Sequence, residues 1–138
     1  MLVVEGEPTV ARLIGDVLED EGLLVDVLLD GREALEHAAH ESYDLVICDM
    51  KMPGLDGQHL YKSLASAGNP LRKKFLFVIG DVVASQTQEF LERHHHLPHV
   101  AKPFRVEELT EKVRRVFADI GPREASPTAA ARSNVARK

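Results

Sequence analysis

Residues 46–57, VICDMKMPGLDG, decide how the chain folds. The apolar run VIC is typical of a buried strand, and it ends at Asp49. A turn rich in Pro and Gly follows and separates this strand from the next helical segment. The position of a carboxylate at the end of a buried strand has to be explained by the fold around it.

Short apolar runs alternate with helical segments along the first 120 residues. The runs lie at residues 2–4, 23–29, 45–48, 75–79 and 99–101. Between them apolar residues recur with the period of a helix, most clearly at positions 106, 109, 113, 116 and 120. Parallel strands need crossover connections, so this alternation predicts an α/β fold with a doubly wound, five-stranded parallel sheet. We expect the strand order 2-1-3-4-5.

This strand order brings three charged residues to one edge of the sheet. Strands 1 and 3 are neighbours, and the winding direction reverses between them, which opens a crevice at their carboxyl ends. The first strand leads to Glu5 and the third to Asp49. The fifth leads to Lys102, whose long side chain can reach the same crevice.

Composition and charge restrict the class of protein. A chain of 138 residues with 44% hydrophobic residues can form one well-covered core. The net charge of -5 and the lack of a basic face predict no direct nucleic-acid binding. No apolar run approaches the ~20 residues that cross a bilayer, and no leader opens the chain, so we expect a cytoplasmic protein without membrane contact. Cys48 is the only cysteine, which excludes an internal disulfide.

The last 18 residues, GPREASPTAAARSNVARK, depart from the alternating pattern. They contain Gly, Pro and small residues and have no periodic apolar face. The sequence therefore predicts one domain over residues 1–120 and a flexible tail or truncated linker over 121–138.

Three segments together resemble the receiver domain of response regulators in two-component signalling. LVVEGEP at residues 2–8 resembles the acidic first turn of that family, VICDMKMPGLDG resembles its phosphoacceptor segment, and VAKPF at residues 100–104 resembles its Lys-Pro segment. FLFVIGD at residues 75–81 is similar to the fourth strand of receivers attached to hybrid sensor histidine kinases. The resemblance extends over about residues 1–120 and implies the flavodoxin-like receiver fold.

The resemblance also implies a role for each matching residue. Asp49 would be the phosphoacceptor, which takes a phosphoryl group from the phosphohistidine of a histidine kinase or phosphotransfer protein in a phosphorelay. Lys102 would contact a phosphoryl oxygen, and its bond to Pro103 is expected to be cis. Magnesium would be the cofactor, with Glu5, Asp49 and the backbone carbonyl of Lys51 as ligands.

Three positions depart from the family pattern. Gly6 occupies the place of a second acid that binds the metal, so we expect weakened magnesium binding. Ile79 occupies the place of a hydroxyl residue that binds the phosphoryl group, and it cannot donate a hydrogen bond. His99 occupies the place of an aromatic residue, so Ile79 and His99 are the predicted switch positions.

These departures leave two hypotheses open. The chain is either a receiver that is phosphorylated on Asp49 or a degenerate receiver that binds proteins without phosphorylation. The predicted binding face consists of the fourth helix, fifth strand and fifth helix, and the same face would form a homodimer.

An enzyme of similar topology, the aspartate-nucleophile phosphatase, is not expected. Such an enzyme needs a second acid two residues after its nucleophile, and Lys51 lies there. The chain is therefore predicted to be no enzyme, apart from self-catalysed phosphorylation and dephosphorylation.

Overall fold

The computed structural model describes residues 1–51, 55–80, 85–94 and 97–120. The predicted tail at 121–138 and part of the turn after Asp49 lie outside the described residues. In chain order the elements are β1 (Leu2–Val4), α1 (Pro8–Asp20), β2 (Asp26–Leu28), α2 (Gly31–His40), β3 (Val46–Asp49), α3 (Gly57–Ser66), a 3₁₀ helix (Pro70–Lys73), β4 (Phe75–Ile79), α4 (Ser85–Arg93), β5 (His99–Ala101) and α5 (Val106–Ile120).

The five strands form one parallel sheet in the order β2-β1-β3-β4-β5. This confirms the predicted α/β class, the doubly wound topology and the strand order. The second strand is shorter than the apolar run at 23–29 suggested, because β2 pairs only with β1, and β1 has three residues.

The core has two layers, one on each face of the sheet. Because successive side chains of a strand point to opposite faces, Phe77 of β4 packs toward α2, α3 and α4, while Val78 packs toward α1 and α5. Both faces are covered, which explains why the strands are almost continuously apolar rather than alternating. Because both faces are covered, polar side chains can lie together at the carboxyl ends of the strands rather than on the faces.

A close approach between α3 and β3 sets the backbone at the end of β3. Asp56 caps α3 by accepting a hydrogen bond from the His59 backbone N–H at 2.8 Å. The Gly57 N–H donates to the Met50 carbonyl oxygen at 3.0 Å. A Cβ atom on Gly57 would lie only 2.3 Å from the carbonyl oxygen of Asp49, so this position requires glycine.

Replacement of Gly57 by alanine should destabilise the domain. The added Cβ overlaps with a backbone atom, which cannot move away as a side chain could, so we expect Gly57→Ala to lower the free energy of unfolding by about 1–3 kcal/mol. Urea denaturation followed by far-UV circular dichroism measures this. Lys62→Ala, at an exposed position of the same helix, is the matched control and should be neutral or slightly stabilising. Equal midpoints for the two variants would contradict the prediction.

Candidate functional site

Two carboxylates lie side by side at the carboxyl ends of β1 and β3. Val4 pairs with Cys48, so the next residues, Glu5 and Asp49, are neighbours across the sheet. Glu5 is 1% exposed and Asp49 is 5% exposed. Carboxylates are rarely so buried unless a cation or hydrogen-bond donors compensate them.

The compensating cation is Lys102, directly after β5. Its ammonium lies 3.0 Å from Glu5 Oε1, 3.2 Å from Glu7 Oε1 and 3.4 Å from Asp49 Oδ2. The Lys102 side chain is 17% exposed. The peptide bond between Lys102 and Pro103 is cis, as the resemblance implied. The topology thus brings Glu5, Asp49 and Lys102 to one point.

The two oxygens of Glu5 have different surroundings. Oε1 accepts hydrogen bonds from Lys102 and from the backbone N–H of Glu7 at 3.2 Å. Oε2 is buried, and no donor in the described part of the chain reaches it. The pKa of Glu5 is raised to about 7, chiefly by burial and also by Asp49, because protonated Glu5 can donate to the Asp49 carboxylate. Lys102 acts in the opposite direction.

Lys102 remains a cation in spite of its burial. Burial by itself lowers the pKa of the Lys102 ammonium, but the hydrogen bond that Lys102 donates to Glu5 and the charges of Asp49 and Glu5 outweigh it, so the pKa is raised. Lys102 therefore favours the charged form of Glu5, and Glu5 and Asp49 favour the charged form of Lys102.

A cavity of about 180 Å³ opens directly onto Asp49. Its lining is formed by Glu7, Asp49, Met50, Lys51, Ile79, Gly80, Thr87 and Lys102. Lys51 is exposed at this cavity, and its N–H donates to Asp49 Oδ1 at 3.3 Å. Ile79 contributes only hydrocarbon. The cavity therefore brings together the Asp49 carboxylate, the Lys102 ammonium and enough space for a small group.

The predicted switch positions occupy different places. Ile79, the last residue of β4, is buried and lines the cavity. His99, on β5, is exposed and does not belong to the cavity lining. Gly6 lies half-buried in the turn between β1 and α1.

One residue of the cavity lining, Thr87, was not predicted from the sequence. It is the third residue of α4 and is 5% exposed. A usable signal existed, because in an α/β fold the helix that follows a strand begins near the carboxyl edge of the sheet.

The oxygen atoms at this edge suit a hard divalent cation. Glu5 Oε2 is a buried acceptor without a donor among the described residues, and Asp49 adds a second carboxylate beside it. The described residues contain no group of three His, Cys, Asp or Glu side chains that could hold a metal. Two carboxylates, with water in the remaining positions, match the preference of magnesium rather than that of zinc.

Comparison with known proteins decides the family. The model of the response regulator receiver domain matches residues 1–114. The chain belongs to the response regulator receiver domain family. Such domains are modules of two-component signalling rather than classical enzymes. Within the described ranges, none of the helices of this receiver domain has the length and apolarity of a membrane span.

One relative of this receiver domain is the transcriptional regulatory protein CutR of Streptomyces coelicolor. The two are 36% identical over 116 residues, which are 83% of this chain and 51% of CutR. The chain thus spans about half the length of CutR.

Two solved structures of receiver domains from histidine kinases are also similar. The receiver domain of the sensor histidine kinase PA1611 from Pseudomonas aeruginosa, with magnesium coordinated in its active-site cleft, is 25% identical with a TM-score of 0.73. The match covers 83% of this chain and 93% of that one. The signal receiver domain of a histidine kinase from Syntrophus aciditrophicus is 26% identical with a TM-score of 0.71, covering 86% and 89%.

Loss of the Lys102 ammonium should destabilise the receiver domain most at alkaline pH. Because the pKa of Glu5 is raised in the folded state, Glu5 contributes fully to the free energy of unfolding below its ordinary pKa of 4.5. This contribution is lost as the pH rises through about 7. The hydrogen bond from Lys102 lowers the pKa of Glu5. Without it the pKa should rise further, so more stability should be lost at high pH. We expect Lys102→Met to lower the free energy of unfolding by about 1–3 kcal/mol at pH 8 and by less at pH 5.

The measurement is urea denaturation at both pH values in the presence of a chelator. Lys62→Met, which removes an exposed lysine, is the matched control and should change little at either pH. A destabilisation by Lys102→Met that is equal at pH 5 and pH 8 would contradict the expected role of Glu5.

Proposed function

We propose that this receiver domain accepts a phosphoryl group on Asp49 from the phosphohistidine of a histidine kinase or phosphotransfer protein. The proposal rests on one observation, the position of Asp49 relative to Lys102 and the cavity. The buried Asp49 carboxylate lies 3.4 Å from the Lys102 ammonium and faces a cavity open to a small group. The magnesium in the PA1611 receiver domain supports the same chemistry.

The reaction forms one bond and breaks one. An oxygen of Asp49 forms a bond to phosphorus as the bond between phosphorus and the histidine nitrogen breaks, and the imidazole keeps the electron pair. Catalysis then consists of positioning and charge neutralisation. Lys102 holds a positive charge at the place where the phosphoryl oxygens arrive, and the Lys51 N–H orients the Asp49 carboxylate.

Glu5, Asp49 and the backbone carbonyl of Lys51 would hold magnesium. When bound, this ion neutralises charge on the phosphoryl oxygens and on the attacking carboxylate. Gly6 contributes no carboxylate, and Glu7, which contacts Lys102 at 3.2 Å, is the nearest further acid in the turn. We therefore propose that magnesium binds more weakly than it would with an acid at position 6.

We propose residues 1–120 as the receiver domain, with residues 121–138 as a tail or linker outside it. The homodimer face of α4, β5 and α5 also remains a proposal. CutR is named a transcriptional regulatory protein, and this chain matches only part of it. The lack of nucleic-acid contact is therefore a prediction for the described domain alone.

A second candidate function is a binding module that works without phosphorylation. It is favoured by Ile79, which presents hydrocarbon to the cavity, and by the missing acid at Gly6. The two candidates differ in whether Asp49 is modified at all.

Phosphorylation can be tested directly by mass spectrometry of the intact chain. Incubation with magnesium and acetyl phosphate should add one phosphoryl group, because Asp49 faces a cavity that admits a small donor. Asp49→Asn should abolish the adduct, and Asp16→Asn, at an exposed position of α1, should retain it. If the parent chain stays unmodified with acetyl phosphate and with a phosphorylated histidine phosphotransfer protein, the result contradicts phosphorylation of Asp49 and favours the binding module.

Gly6→Asp should tighten magnesium binding on the order of tenfold, because the charge of the ligands sets the affinity of such sites. Isothermal titration calorimetry with magnesium chloride measures the change. Gly6→Asn offers a neutral oxygen on a side chain of the same size and should have a smaller effect. An affinity that Gly6→Asp leaves unchanged would mean that Glu5 or Glu7 already supplies the missing ligand.

A further inference from the structure

Thr87 is the only residue with a hydroxyl group among those that line the cavity beside Asp49 in the described structure. It lies in the first turn of α4 and is 95% buried, since its exposed fraction is 5%. Most buried hydroxyl groups in proteins have a hydrogen-bond partner. For the Thr87 hydroxyl, none is found within residues 1–51, 55–80, 85–94 and 97–120.

Thr110 on α5 shows the usual arrangement of a buried threonine on a helix. Its hydroxyl donates to the carbonyl oxygen of Val106, four residues earlier in the same helix, at 2.8 Å. Thr87 has no such partner within α4, because the helix begins at Ser85, two residues earlier. Among the described residues nothing competes for the Thr87 hydroxyl, which can therefore donate to a group inside the cavity.

A phosphoryl group on Asp49 would need more donors than the strand ends provide. It carries a charge of about -1.5 to -2 and three strong acceptor oxygens. The Lys102 ammonium is already shared among Glu5, Glu7 and Asp49. Ile79, at the end of β4, has no donor to offer. The first turn of α4 has both the Thr87 hydroxyl and the positive end of the helix dipole.

We propose that the Thr87 hydroxyl donates a hydrogen bond to the phosphoryl group on Asp49 and so connects the first turn of α4 directly to that group. This inference rests on the proposed phosphorylation of Asp49. It assigns to a helix the contact that Ile79 on β4 cannot make.

An aromatic cluster connects Thr87 to the rest of the domain. Phe90 follows Thr87 by three residues and so lies on the same side of α4. Its ring centroid is 5.2 Å from that of Phe77, 5.8 Å from Tyr61 and 4.6 Å from His94. A hydrogen bond that draws Thr87 toward Asp49 would move Phe90 against Phe77 and Tyr61, which belong to β4 and α3.

The test compares Thr87→Val with the matched control Thr110→Val. Each replaces a buried helical hydroxyl with a methyl group. Adduct formation is measured by mass, and amide chemical shifts of Tyr61 and Phe90 are recorded with and without magnesium and acetyl phosphate. Both variants should form the adduct, and the shift changes are compared at equal fractions of adduct. Thr87→Val should lower the equilibrium constant for the responding conformation about tenfold, as expected for the loss of one hydrogen bond to a charged group, and the shift changes should shrink with its population. Thr110→Val should retain them.

Two further variants separate a lost donor from a damaged fold. Thr87→Ser keeps the hydroxyl and should retain the response. Ile79→Thr in the Thr87→Val background places a hydroxyl at the end of β4 and should restore a response to the adduct. If neither variant shows the shift changes, the role of Thr87 as a donor is wrong.

The remaining outcomes separate this inference from the proposed function. An adduct on Asp49 together with unchanged shift differences in Thr87→Val would overturn the inference and leave the proposed function intact. Absence of any adduct in the parent chain would overturn both.

Discussion

The pairing of one lysine with two buried carboxylates is the interaction on which the rest of the site depends. Glu5 and Asp49 are almost completely shielded from water, and an unpaired buried carboxylate is costly. Lys102 offsets this cost from the far end of the sheet, 97 residues from Glu5 and 53 from Asp49. In the proposed reaction, the pair of acids would hold a divalent cation, and the lysine would keep positive charge where a phosphoryl group arrives.

The surroundings of this pairing differ between the two sides of the cavity. On the sheet side the end of β4 is apolar at Ile79, and the predicted second switch position, His99, lies at the surface. On the helix side the first turn of α4 contributes Thr87, and Phe90 anchors the same helix in an aromatic cluster. A polar group at the cavity beside Asp49 therefore lies on a helix that packs against both α3 and β4.

Much of the fold could be predicted from the sequence, because the spacing of apolar residues is a local property. The alternation of short strands and periodic helices predicts a doubly wound parallel sheet. Its commonest five-stranded order, 2-1-3-4-5, predicts that Glu5, Asp49 and Lys102 meet. The extent of β2 could not be predicted, because the short partner β1 limits it. The start of α4 near the carboxyl edge of the sheet could be predicted, but which residue of its first turn lines the cavity depends on how α4 packs, so Thr87 was not predicted.

The sequence by itself determined the family, the doubly wound sheet and the residue types at the strand ends, since these follow from local patterns and from motifs contiguous in the chain. Only the tertiary structure decided how the charges are shared. It gave Lys102 three carboxylate contacts, left one oxygen of Glu5 without a described donor and placed Thr87, rather than His99, at the cavity. The physical reason is that burial and hydrogen bonding depend on distances between residues far apart in the chain, which packing alone establishes.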